Sequence, residues 1–157
     1  MKLFLVHHAD AVGPDVDTRR PLSALGETQA ARVAAEAVAH GARPDIVWHS
    51  GKLRARQTAQ ALWRACNALA EFKAVSDLQP DDPPSRIRDR LTGETRDILI
   101  AGHFPYLPRL LSLLLPGAPA TFPLHGVVAL ESDDGGGTWK ETWRLDLDNE
   151  SRGQPTP

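Results

Sequence analysis

The chain has 157 residues, 41% of them hydrophobic and 24% charged, and 18 Lys and Arg against 20 Asp and Glu give a formal net charge of −2. That length suits one compact domain burying about two-thirds of the surface its unfolded form exposes, and the balanced charge creates no general field for nucleic acid or anionic lipid. No stretch approaches the ~18 apolar residues of a membrane span, no basic leader precedes a long apolar run, and the lone Cys66 has no disulfide partner within the chain, so a monomeric, cytoplasmic protein is expected.

Lys2 to Val6 reads as a buried strand, and His7-His8 follow where it opens into a loop. The stretch from Gly13 to Pro21 is too rich in Pro and Asp for regular structure. A helix is predicted from an N-cap at Ser23, with Glu27 in its first turn, through an alanine-rich run to about His40, where Gly41 stops it. Asp45 to Ser50 reads as a second strand, Leu53 to about Leu69 as a second helix with Cys66 on its apolar face, and Phe72 to Val75 as a short third strand. A loop from Leu78 to Pro84 leads into a helix over Ser85 to Leu91. Asp97 to Ala101 is another buried strand, ended by Gly102-His103, and Pro105 to Leu115 an apolar helix. Val127 to Glu131 and Thr138 to Leu145, joined by a turn rich in Asp and Gly, read as a hairpin. The alternation implies an α/β, three-layer α/β/α architecture: a mostly parallel sheet with helices on both faces and a C-terminal β-hairpin. Residues 1–148 are the single expected domain, and 149–157 a polar tail expected to be disordered.

In such sheets ligands sit at the carboxyl ends of strands. Three of those ends carry marked polar residues: His7-His8, Ser50 with Arg54, and Gly102-His103. Arg54 falls in the first turn of its helix, where a guanidinium and free backbone amides together make an anion site, and Arg20 can add a second fork. Three histidines and two arginines, with no glycine-rich loop and no cysteine among them, point to phosphoryl chemistry run by a histidine nucleophile. His40, at a helix end, and His125, before Gly126, read as structural; His49 is placed to border the pocket. The four tryptophans, Trp48, Trp63, Trp139 and Trp143, read as packing.

These residues resemble the histidine phosphatase superfamily and, within it, the small phosphohistidine phosphatases of SixA type, over nearly the whole predicted domain. That family's opening Arg-His-Gly-Asp-Ala is matched by His7-His8-Ala9-Asp10-Ala11, and its Arg-Pro-Leu-Thr with a glycine three residues on by Arg20-Pro21-Leu22-Ser23 and Gly26. Its Ser-Pro and Arg-Ala-x-Gln-Thr-Ala are matched by Ser50-Gly51 and Arg54-Ala55-Arg56-Gln57-Thr58-Ala59, and its strand ending Gly-His by Gly102-His103. The family's first arginine is His7 here, and its glycine is Ala9.

The resemblance implies a phosphoglycerate mutase-like fold and a metal-independent phosphatase without cofactors. His8 is then the nucleophile, with Arg54 and His103 the other catalytic groups, and Arg20, His7, Arg54, His103 and Ser50 around the phosphate. A phosphorylated protein, through its phosphohistidine, or a small phosphorylated metabolite is the implied partner. Asp81 is the candidate proton donor; Asp82, before Pro83-Pro84, reads as a helix cap instead, and Asp10 can orient a histidine. Losing one charge-assisted contact at position 7 costs roughly 1.5–3 kcal/mol, which a protonated His7 would partly restore. Two other functions stay open: a catalytically impaired phospho-ligand binding module, and a metal-dependent hydrolase using His7, His8, Asp10 and His103.

Overall fold

The computed structural model describes residues 1–119 and 121–148, so the expected tail at 149–157 lies outside the described residues. Six strands form one sheet in the order β3-β2-β4-β1-β5-β6. Strands β1 (Lys2–His7), β2 (Ile46–His49), β3 (Glu71–Ala74) and β4 (Ile98–Gly102) run parallel, and β5 (Val127–Glu131) and β6 (Lys140–Leu145) close one side antiparallel. Helices α1 (Ala24–Ala39) and α2 (Leu53–Cys66) cover one face, and α3 (Ser85–Leu91) and α4 (Tyr106–Leu114) the other.

Period-two alternation divides β1 between two cores. Leu3 and Leu5 pack with Ile87, Leu91, Leu107 and Leu110, while Phe4 and Val6 pack with Val33, Ala34, Ala59 and Leu62. Because β1, β2 and β4 are buried on both faces, they read in the sequence as unbroken apolar runs. Edge strand β3 differs: its Glu71 and Lys73 are exposed and pair with each other at 3.2 Å.

The expected architecture and element order are those observed. Helix α2 stops at Cys66 rather than near Leu69, because Asn67 is extended and spends its side chain on Pro44 O and the Leu69 N–H. Strand β6 starts at Lys140 rather than Thr138, whose N–H and hydroxyl are both held by the Asp134 carboxylate in the turn.

The start of α1 is clamped onto the loop after β1. Ser23 caps it by accepting from the Gly26 N–H at 3.0 Å, and both its own N–H and hydroxyl reach back to Asp10. A β-carbon at Gly26 would overlap the Asp10 carbonyl oxygen, so only glycine permits this approach. Gly26→Ala is expected to cost about 1–3 kcal/mol by overpacking, whereas Leu25→Ala next door, at a position 59% exposed, should change little; urea unfolding of the two variants makes the comparison.

Candidate active site

Parallel pairing of β1 with β4 and of β4 with β2 brings three strand ends together. His7 lies opposite Gly102 in register, and the His8 N–H donates to Gly102 O at 3.1 Å. Helix α2 then docks against the loop after β1 through two side chains. Thr58 Oγ1 accepts from the Ala9 N–H at 3.0 Å while donating to Arg54 O, and Gln57 Oε1 accepts from the Leu22 N–H at 2.7 Å. Three of the four sequence segments are thereby joined by neutral side chains, and the fourth, Gly102-His103, by strand pairing.

His8 donates from Nδ1 to the Ala9 carbonyl at 2.8 Å, which leaves the lone pair on Nε2. Burial, and next the Arg54 charge, pull its pKa down to about 4 against the raising effect of that hydrogen bond, so the ring is neutral near pH 7. His103, 1% exposed, meets Ser50 Oγ through Nε2 at 2.6 Å, and its Nδ1 is buried without a partner among the described residues. Burial, then the neighbouring His8 and Arg54, hold its pKa near 3. The Arg54 guanidinium is partly buried with Nε likewise unpartnered; burial and Arg20 lower its pKa, yet arginine stays charged. Arg20 sits in the left-handed region at φ 50°, with its Nε–H on Val12 O at 3.1 Å, and its charge is felt at His8, Arg54 and His103.

His7 departs from the protonated ring expected of it. It is 4% exposed, stacks on Phe104 with ring centroids 4.0 Å apart, and accepts the His125 N–H at Nδ1 at 2.9 Å. Burial, followed by repulsion from His8, takes its pKa to about 2, so His7 is neutral and carries its hydrogen on Nε2. Ala9 does not occupy the left-handed region, and the exchange of glycine for alanine imposes no backbone strain there.

Other expectations fare differently. Asp10 binds Ser23 and orients no histidine. Asp82 accepts from the Gln79 N–H instead of capping α3, and Asp81 is exposed on the same loop. His49 turns its Nδ1 to the Gly51 N–H and packs on Phe72. Gln79, unremarked in the sequence, ties that loop to Ser50 O at 2.8 Å. The main omission is His125, whose ring stacks on His7 at 5.1 Å and whose Nδ1–H donates to His8 O at 2.7 Å. Its distance of more than 115 residues along the chain from its partners hid it.

One ring nitrogen each from His7, His8 and His125 lie within 4.8 Å of one another, a spacing from which a metal ion could be held. The hydrogen bonds assign lone pairs at Nε2 to His8 and His125 only, because the His7 Nδ1 lone pair is spent on a backbone amide. Two lone pairs and one N–H donor do not make a three-point ligand set.

The sequence profile of the histidine phosphatase superfamily (branch 1) matches residues 6–79. Over those residues the chain resembles that superfamily. The fold extends the likeness. The structure of the protein histidine phosphatase SixA complexed with tungstate superposes with a TM-score of 0.84 at 23% identity, covering 96% of this chain and 99% of that one. Phosphoserine phosphatase from Entamoeba histolytica, in complex with 3-phosphoglyceric acid, gives 0.69 at 16% identity over 93% and 97%. Mycobacterial glucosyl-3-phosphoglycerate phosphatase gives 0.63 at 16% over 93% and 99%. No curated protein sequence matches the chain significantly.

Keeping three imidazoles neutral has a thermodynamic signature. Their folded pKa values lie near 2, 4 and 3 for His7, His8 and His103, below the ~6.5 of an unfolded histidine. Below about pH 6.5 the unfolded chain therefore binds more protons, and stability falls with falling pH, by about 1.4 kcal/mol per unit for each fully neutral ring. Denaturant unfolding between about pH 7 and pH 5, above the carboxylate range, should show this loss, and His103→Gln should reduce its slope.

Proposed function

We propose that the chain is a metal-independent phosphatase acting through a phosphohistidine on His8, with phosphohistidine of a protein or another small phosphorylated group as substrate. The observation that carries this reading is the His8 ring: neutral, with Nδ1–H bound to a backbone carbonyl and Nε2 left as the lone pair. An imidazole in that state attacks phosphorus well and leaves well once phosphorylated, dividing one displacement into two. Arg54 and Arg20 supply the permanent charge that a transferring phosphoryl group requires. With the Ser50 hydroxyl donating to Nε2, His103 keeps its hydrogen on Nδ1 as a further donor. Buried donors without partners are costly, and a phosphoryl oxygen would satisfy both Arg54 Nε and His103 Nδ1.

His7 enters the same scheme as a neutral donor through Nε2–H. It replaces part of the hydrogen bonding of an arginine and none of its charge. This is the observation that favours the second reading, a phospho-ligand binding module whose turnover is impaired. The oxyanion held by the SixA structure, tungstate, agrees with either reading, and substrate preference rests on the phosphoramidate bond being the easier one to break once its leaving imidazole is protonated.

Trapping with a 32P-labelled phosphoramidate, quenched in alkaline detergent, separates the two. An alkali-stable, acid-labile label on His8, lost in His8→Ala, supports the phosphatase; tight binding with no label supports the binding module. Arg54→Ala should lower kcat/KM by on the order of 10²-fold or more, with Arg54→Lys recovering only part because an ammonium lacks the planar fork. Turnover should survive exhaustive treatment with a chelator; loss restored by zinc would overturn the metal-independent reading.

A further inference from the structure

His125 sits at the mouth of the site in an unusual backbone state. Of the three described non-glycine residues with positive φ, two are Arg20 at 50° and His125 at 55°, both beside the histidines. Such conformations cost energy and persist where surrounding bonds impose them. For His125 the imposing bonds are both donated by it: its N–H to His7 Nδ1, and its ring Nδ1–H to His8 O.

The second bond has a chemical consequence. A carbonyl oxygen only accepts, so Nδ1 keeps its hydrogen whether the ring is neutral or charged, and proton exchange at His125 is confined to Nε2. His7 and His103 are buried, whereas His125 is partly exposed and can trade protons with water. The groups facing it are His7, stacked at 5.1 Å, and His8, with centroids 6.2 Å away. A ring nitrogen of His125 lies within 4.8 Å of one on His8. Phosphorus approaches an attacking nitrogen to about 3–3.5 Å, and a proton donor works at about 2.6–3.2 Å. A phosphoryl group seated at His8 is therefore bordered by the His125 ring.

We infer that His125 Nε2 is the acid and base of phosphoryl transfer, a proposal that rests on His8 being the nucleophile. In the first step the His8 Nε2 lone pair forms the N–P bond as the bond from phosphorus to the leaving oxygen or nitrogen breaks. The proton on His125 Nε2 goes to that leaving atom, and His125 becomes neutral. In the second step water attacks phosphorus, its proton passes to His125 Nε2, and the N–P electron pair returns to His8. Asp81, exposed on the loop before α3, is then not required.

His125→Asn is the informative variant, because asparagine tolerates the left-handed region and its amide can keep the bond to His8 O while offering no titrating nitrogen. The readout is kcat/KM across aryl phosphates, from dinitrophenyl phosphate, which departs without a proton, to phenyl phosphate, which needs one. Loss of about 100-fold or more on phenyl phosphate against less than about 10-fold on dinitrophenyl phosphate is expected, and His125→Gly, equally suited to the backbone, must behave alike. An equal loss across the series, no loss, or a leaving-group effect that appears in Asp81→Asn instead overturns the proposal. So does a wild type that phosphorylates His8 from dinitrophenyl phosphate yet cannot use phenyl phosphate at all. Absence of label on wild-type His8 from any donor is a different failure: it removes the phosphohistidine reading itself.

Discussion

The pairing of β1 with β4 is the constraint on which the site depends. These two central strands run parallel in a register that sets His7 against Gly102, so the residues just beyond them, His8 and His103, emerge side by side with ring centroids 5.2 Å apart. A shift of one residue would exchange the two faces of β1, because alternate side chains enter different cores. Leu3 and Leu5 on one face and Phe4 and Val6 on the other hold the register against that shift. Burial of a continuous sheet centre thus sets the positions of the polar groups at its rim.

That rim is electrostatically divided. Permanent charge comes from arginines on the loop after β1 and on α2, while the imidazoles between them are kept neutral by burial and by those same cations. Desolvation that makes a protonated histidine unfavourable also strengthens each remaining contact to an anion, since the local dielectric is low. Positive charge at this rim therefore resides in groups that do not titrate in the physiological range, and lone pairs remain available beside them.

Much of this was legible in the sequence. The strands and helices announced themselves by unbroken apolar runs, by Ser23 as a cap and by Gly41 as a stop, and His8, Arg54 and His103 stood where strand ends and a helix start were expected. The misses have physical causes. His7 was assigned a charge because its burial under Phe104 depends on a contact between distant segments. His125 looked structural because nothing local to it shows that its neighbours are His7 and His8. Gln57 and Thr58 were visible only as parts of a motif, and their work of fastening both ends of the loop after β1 to α2 takes a three-dimensional view.

Main-chain atoms hold the key orientations: the Ala9 carbonyl for His8, the His8 carbonyl for His125, and the His125 amide for His7. Side-chain replacement cannot delete a carbonyl, so the direction of the His8 ring is insulated from the chemistry of its neighbours. Position 9 illustrates it, carrying alanine in place of the family's glycine while its carbonyl still receives the His8 hydrogen. Side chains at the rim of this site are consequently free to drift in evolution while the His8 imidazole keeps its aim.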